Sequence, residues 1–350
     1  MSEVLAAVEG HLGHITLNRP NALNALTLGM VEAVADVLER WRNDDAIRCI
    51  LLDGAGERAF CAGGDIRAVQ AAASAGDYAQ AARFFRGEYS LNGMIATYKK
   101  PVVAIMDGIT MGGGIGLGGH ASRRVVTERS VLAMPEARIG FFTDVGATWL
   151  FSRAPGELGT HIGLTGARLT GADAIEAGLA DSYIPFSMMG ALAGCLRAGD
   201  AYDSVQDFAV EPPKNVLEES RSWIDRCYQS DDAAAIVAAL RAAGQAETAD
   251  TIESNSPSSV KTILRALRNA RDFDTLEACL DQDFRLAMNM IRTPDFREGV
   301  RAAVIDKDRS PRWSPPRLAD ADNAVIARYF DTPPEGELGL TRPGGGFVQR

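Results

Sequence analysis

The chain lacks the raw material for several classes of protein. No apolar run in its 350 residues approaches the ~20 needed for a membrane-spanning helix. Its five cysteines (Cys49, Cys61, Cys195, Cys227, Cys279) are odd in number, scattered and without a CxxC pair, which argues against a disulfide framework or a zinc site. The four histidines (His11, His14, His120, His161) show no ligand spacing, so no metal is expected, and His120 and His161 read as structural. No basic tract exists: 36 Lys and Arg stand against 46 Asp and Glu, a net charge of −10 that suits neither nucleic acid nor an anionic membrane. The start, Met1-Ser2-Glu3-Val4, lacks the basic residues of a signal peptide. With the unpaired cysteines, this sets the expectation of a cytoplasmic protein. Walker A and G-x-S-x-G patterns are also missing. What remains is globular: 46% hydrophobic and 23% charged residues.

The first half alternates strand and helix patterns, which argues an α/β architecture. Val4 to Val8 and His14 to Leu17 read as a hairpin around Glu9-Gly10. Thr27 can cap a helix whose apolar positions Met30, Val31, Val34, Val37, Leu38 and Trp41 follow a 3.6-residue period. Ile47 to Leu52 and Val102 to Met106 read as buried strands on either side of a helical stretch from about Tyr78 to Thr97. Further strands are expected at Arg124 to Thr127 and Val131 to Ala133. Beyond about residue 186, strand patterns give way to Ala-rich helical stretches such as Asp231 to Ala243 and Ser258 to Asn269. The expected organisation is a β/α core over residues 1–186 and a helical region over 187–350, with a loosely held tail from Pro333.

Two glycine-rich loops follow buried strands: Gly54 to Asp65, containing Ala62-Gly63-Gly64, and Met111 to His120, containing Gly112-Gly113-Gly114. Glycine lets a backbone approach a ligand closely, and the first N–H groups of a helix have no partner within it. One donor from each loop aimed at one point would make an oxyanion hole. The alternative is that these glycines serve only turns and close packing. Gly114-Ile115-Gly116-Leu117-Gly118-Gly119 formally matches a dinucleotide fingerprint, but strand-like Arg124 follows too soon for a crossover helix.

Glu136 and Asp144 lie eight residues apart among Met134, Ile139, Phe141, Phe142 and Val145. Burial and a neighbouring carboxylate both raise a carboxyl pKa, which is how catalytic acids are tuned towards neutrality. The competing reading makes Glu136 an acid in a helix first turn and Asp144 a cap near Gly146.

Four ordered stretches together resemble the crotonase (enoyl-CoA hydratase/isomerase) superfamily: Asn18 to Leu26, Phe60 to Ile66, Met111 to Gly114, and Met134-Pro135-Glu136. The resemblance implies a spiral of ββα units with a helical C-terminal extension, acyl-CoA thioester substrates, and an oxyanion hole from the N–H groups of Gly64 and Gly113. No separate cofactor is implied, because CoA is part of the substrate. Relatives commonly form trimers or hexamers, which makes a homo-oligomer possible.

Phe84 to Asn92, Gly140 to Gly146, Leu164-Thr165-Gly166, Ser256 to Lys261, Asp295 to Arg301 and Ile305 to Trp313 resemble one branch, the 3-hydroxyisobutyryl-CoA hydrolases. Thr143 stands where that branch commonly has proline, and Gly87 where an acid is common. By resemblance, Glu136 attacks the thioester or activates water, Asp144 orients its partners, and Glu88 lies near the polar end of the substrate. An exposed helix acid is the alternative for Glu88. Hydratases of the superfamily use a second glutamate in the second glycine loop, where this chain has Gly116. The expected reaction is hydrolysis of 3-hydroxyisobutyryl-CoA, a step of valine breakdown. The alternatives are an enoyl-CoA hydratase or isomerase, and a non-catalytic acyl-CoA binder. Lys99-Lys100 and Arg58 are candidate cations for the CoA phosphates.

Overall fold

The computed structural model describes residues 2–341. The chain forms two compact units that are not consecutive in sequence. The first comprises the chain up to Gly64 with Ser90–Ala133 and Arg168–Glu218; the second comprises Asp65–Tyr89, Met134–Ala167 and the chain from Glu219.

The first unit holds ten strands: β1 (Val4–Glu9), β2 (Leu12–Leu17), β3 (Cys49–Gly54), β4 (Ala59–Cys61), β5 (Val102–Ile105), β6 (Ile109–Met111), β7 (Arg123–Val126), β8 (Val131–Ala133), β9 (Leu169–Thr170) and β10 (Ser182–Tyr183). They form a six-stranded sheet in the order β1-β2-β3-β5-β7-β10 and a four-stranded sheet in the order β4-β6-β8-β9. Consecutive strands therefore alternate between sheets: β3, β5 and β7 enter the larger one, while β4, β6 and β8 enter the smaller. This is the expected spiral of ββα units. Pairing is parallel apart from the β1–β2 hairpin and the β8–β9 edge.

Local sequence accounts for the expected elements. Thr27 Oγ1 accepts the Met30 N–H at 3.1 Å, and helix Leu28–Trp41 buries the six apolar positions of its periodic stripe. β3 and β5 are apolar and buried because both faces of a parallel sheet are covered. The three-residue strand β4 falls inside the first glycine-rich loop and β6 runs into the second, where glycine masks so short a strand. Among the described residues the last strand is β10, with one further bridge from Tyr183 to Val210. Compactness runs otherwise: helices Met189–Leu196 and Ala201–Phe208 pack Leu192, Leu196 and Val205 against Leu12, Leu51, Val103 and Val125 of the large sheet. A composition shift records the change of element type, whereas packing follows the apolar faces.

The second unit is helical. Two of its longer helices are Pro257–Arg271, capped by Ser256, and Leu276–Met290, capped by Thr275. The segment 335–341 is strapped to this unit. Asp281 accepts the N–H groups of Gly339 and Leu340 at 2.9 Å each and the Thr341 hydroxyl at 2.6 Å. Arg86 donates to the carbonyl oxygens of Glu337 (2.6 Å) and Glu335 (2.7 Å), while Arg285 and Arg292 pair with the carboxylates of Glu337 and Glu335. The tail expected to be loose from Pro333 is thus held through Thr341, and the rest of it lies outside the described residues.

Candidate active site

Within the first unit, the two glycine loops leave neighbouring parallel strands, since Ala59 of β4 lies opposite Ile109 of β6 and Cys61 opposite Thr110. They emerge side by side and touch. Gly63 sits at φ 109°, and a Cβ on it would lie 3.3 Å from the Met111 carbonyl oxygen and 3.7 Å from the Gly113 nitrogen. At Gly114 a Cβ would come within 2.2 Å of the Cys61 carbonyl oxygen. Glycine is needed here because two backbones meet. The Leu26 N–H holds the Gly63 carbonyl at 2.8 Å, and Leu26 bridges Gly64. Gly113 opens the short helix Gly113–Gly118, ahead of that helix's own hydrogen bonds. The loops thus bring Gly63 against Gly113, with Gly64 next in the chain to that contact. Gly116 lies inside that helix, which carries no acid.

Within the second unit, four carboxyl groups and a phenol converge. Glu88 and Tyr89 come from helix Tyr78–Ala96, Glu136 from the 3-10 turn Glu136–Ile139, Asp144 from the loop before helix Ala147–Ser152, and Asp283 from helix Leu276–Met290. All are buried, with Glu88 at 2%, Tyr89 at 0%, Glu136 at 8%, Asp144 at 6% and Asp283 at 0% exposure. The Tyr89 hydroxyl donates to Asp144 Oδ2 at 2.8 Å, and the Gly146 N–H donates to Asp283 Oδ2 at 2.7 Å. Among the described residues, Glu88 Oε1, Glu136 Oε2 and Asp283 Oδ1 have no hydrogen-bond partner. Such orphaned atoms in a native interior call for an explanation, and a ligand or water is the usual one.

The electrostatics follow from burial. Glu136 and Glu88 are held well above the usual carboxyl range, first by desolvation and then by the charge of Asp144. Burial also raises Asp144, to about 7, against the opposing hydrogen bond from Tyr89. Asp283 is pushed up by desolvation and by Asp144. The cluster keeps protons through the acid range, and Asp144 is the group that ionises near neutrality. Tyr89 continues into an aromatic cluster: its ring lies 5.6 Å from Phe85, and Phe141 lies 5.9 Å from Phe85, 4.8 Å from Phe142 and 5.5 Å from Phe296 between ring centroids.

The structure brings Glu88, Glu136 and Asp144 together, so the exposed-acid reading of Glu88 does not hold. Glu136 does stand in a first turn after Pro135, yet it is buried with a free oxygen rather than solvated. Asp144 does not cap through its side chain; its carbonyl oxygen receives the Ala147 N–H at 2.9 Å. His161 is structural, with Nδ1 2.9 Å from the Tyr228 hydroxyl and burial lowering its pKa to about 4. Lys100 Nζ is occupied by the carbonyl oxygens of Trp41 and Asp44. Sequence reasoning gave no role to Tyr89 or Asp283. Asp283 does leave a trace: it interrupts the apolar stripe of Cys279, Leu280, Leu286 and Ala287 at helical spacing.

The enoyl-CoA hydratase/isomerase family model matches residues 12–330. A Danio rerio protein named 3-hydroxyisobutyryl-CoA hydrolase, mitochondrial, is 39% identical, covering 97% of this chain and 92% of its own. An Arabidopsis thaliana protein named 3-hydroxyisobutyryl-CoA hydrolase 1 is 35% identical over 94% of this chain and 92% of its own. A crystal structure described as that of a carnitinyl-CoA dehydratase from Mycobacterium thermoresistibile superposes with a TM-score of 0.93 at 45% identity, covering 97% of this chain and 99% of that one. The expectation of a cytoplasmic protein is overturned, because the Danio rerio relative is named mitochondrial. Unpaired cysteines report only a reducing environment and do not separate one such compartment from another.

Proposed function

The chain belongs to the enoyl-CoA hydratase/isomerase family, and from that premise we propose that it hydrolyses a short-chain 3-hydroxyacyl-CoA thioester. The substrate that the named relatives support best is 3-hydroxyisobutyryl-CoA, giving 3-hydroxyisobutyrate and free CoA, a step of valine catabolism.

The observation that carries this reading is the buried pair Glu136 and Asp144, together with a second glycine loop that holds no acid. Hydration and dehydration in this family need a glutamate where Gly116 stands, which disfavours the dehydratase activity for which the Mycobacterium thermoresistibile protein is named. In the proposed reaction the thioester oxygen is received by the N–H groups of Gly64 and Gly113. Each such donor lowers the barrier by about 3 kcal/mol. Glu136 and Asp144 share the proton work. Asp144, held by Tyr89 and raised by burial to about 7, accepts the proton of Glu136 as that side chain enters the chemistry. A C–O bond forms from water, directly or through a Glu136 anhydride. The C–S bond breaks, and the departing CoA sulfur takes a proton. Glu88 keeps Oε1 available for the substrate's hydroxyl.

The test is thiol release from 3-hydroxyisobutyryl-, 3-hydroxypropionyl-, acetyl- and crotonyl-CoA. Release from the first two, abolished in Glu136→Gln, is the expected result. Turnover of crotonyl-CoA without free thiol would sink the reading.

A further inference from the structure

The turn that carries Asp144 is tied down by one side chain far along the sequence. Val145 (φ 56°) and Gly146 (φ 71°) both adopt left-handed backbone. For a β-branched valine this is an outlier that surrounding structure must hold. The Ala147 N–H closes the turn onto the Asp144 carbonyl oxygen at 2.9 Å, and the Gly146 N–H is held by Asp283 Oδ2 at 2.7 Å. Asp283 is fully buried, and its Oδ1 has no partner among the described residues.

An ionised carboxylate with an unpartnered oxygen at zero exposure would be costly, whereas a neutral carboxyl costs far less. The groups facing Asp283 point the same way. They are Asp144 on its loop, Tyr89 with Glu88 behind it on helix Tyr78–Ala96, and Cys279 on its own helix, with Arg153 near that thiol. Asp144 is the like charge that bears on it, and the Tyr89 phenol faces it as well.

We infer that Asp283 is a positioning residue for the hydrolysis and works as a neutral acid. Its carbonyl oxygen receives the Gly146 N–H and fixes where Asp144 points. Its proton stays on the other oxygen, which leaves Asp144 to carry the negative charge. The inference rests on the thioester-hydrolase reading of the same site.

The experiment compares the whole chain with Asp283→Asn and Asp283→Leu in thiol release from 3-hydroxyisobutyryl-CoA across pH, with melting curves for each. Asparagine keeps a neutral acceptor for Gly146; leucine removes it. Asp283→Asn should keep kcat within about threefold and leave the acidic limb of the profile unmoved, while Asp283→Leu loses about 10- to 100-fold in kcat, the cost of a misplaced catalytic group. KM should stay within about twofold in both, since neither variant alters a group that meets substrate. An acidic limb moved to lower pH in Asp283→Asn would show that Asp283 carries charge and overturn the inference. So would an Asp283→Leu protein with undiminished kcat, or equal losses in both variants. If the unaltered chain releases no thiol from any acyl-CoA, the hydrolase reading itself fails, and it does so before the variants are compared.

Discussion

The Tyr89 hydroxyl donates a 2.8 Å hydrogen bond to Asp144 Oδ2 inside a buried cluster of acids. This bond favours the charged form of Asp144 and works against the desolvation that raises it to about 7. Removing the hydroxyl in Tyr89→Phe should therefore raise the proton affinity of Asp144 further. The acidic limb of kcat/KM should move to higher pH by about one unit, the scale of a hydrogen bond to a charged group. A pH–rate profile of thiol release checks it, and an unmoved limb would detach Tyr89 from the chemistry.

The same burial makes the site a source of instability at high pH. Asp144 holds its proton to about 7 when folded, against an ordinary value of 3.8. Between those values the folded chain binds more protons than the unfolded one, so this group's contribution falls as pH rises through the window. Asp144→Asn should be more stable than the unaltered chain at pH 8 by about 4 kcal/mol, at about 1.4 kcal/mol for each pH unit that separates the folded and unfolded values. The difference should vanish near pH 4. Thermal melts at the two pH values measure it, and catalytic loss with a gain in stability is the expected trade.

Glu136→Gln should abolish thiol release while preserving the fold, because the amide fills the same space. A loss of at least about 10³-fold in kcat is expected for the central acid–base or nucleophilic group. Binding of a non-hydrolysable thioether analogue, followed by calorimetry, should persist. Residual turnover near the unaltered rate would move the chemistry elsewhere.

Gly114→Ala tests the contact between the glycine loops. Its methyl would meet the Cys61 carbonyl oxygen at 2.2 Å, so one loop must give way. The expected cost is about 10²–10³ in kcat, that of losing one oxyanion donor. An unchanged rate would mean the loops do not act on the carbonyl.

Glu88→Leu should raise KM for 3-hydroxyisobutyryl-CoA by about three- to tenfold, the value of a neutral hydrogen bond. KM for acetyl-CoA, which lacks the hydroxyl, should change little. Steady-state kinetics on both substrates separate a specific contact from a general disturbance.

Most of the fold was legible because its helices and longer strands carry clear periods. Helix Leu28–Trp41 buries each residue its stripe named, and β8 begins and ends where its apolar run does. β4 and β6 were hidden because glycine-rich stretches adjoin them, with Gly63 just beyond Cys61 and Gly108 and Gly112 on either side of Ile109–Met111, although their parallel pairing is what brings the glycine loops together. In the site, Glu136 and Asp144 stood out as acids in an apolar stretch. Asp283 was harder to see, because its partner is the Gly146 N–H, and a main-chain donor leaves no mark on a sequence. Tyr89 was visible as a residue of a familiar stretch but not as a donor, since its use depends on a helix face meeting a loop 55 residues away.

The strap of residues 335–341 has a consequence for how the enzyme comes into being. Arg86 and Asp281 grip it, and each lies two residues from a member of the acid cluster, Glu88 and Asp283. A nascent chain has synthesised all four acids by residue 283, yet the clasp on the helices of Glu88 and Asp283 must wait until the ribosome has passed Thr341. Polypeptides halted between those points would carry every acid of the cluster and still lack the brace on the helices of two of them.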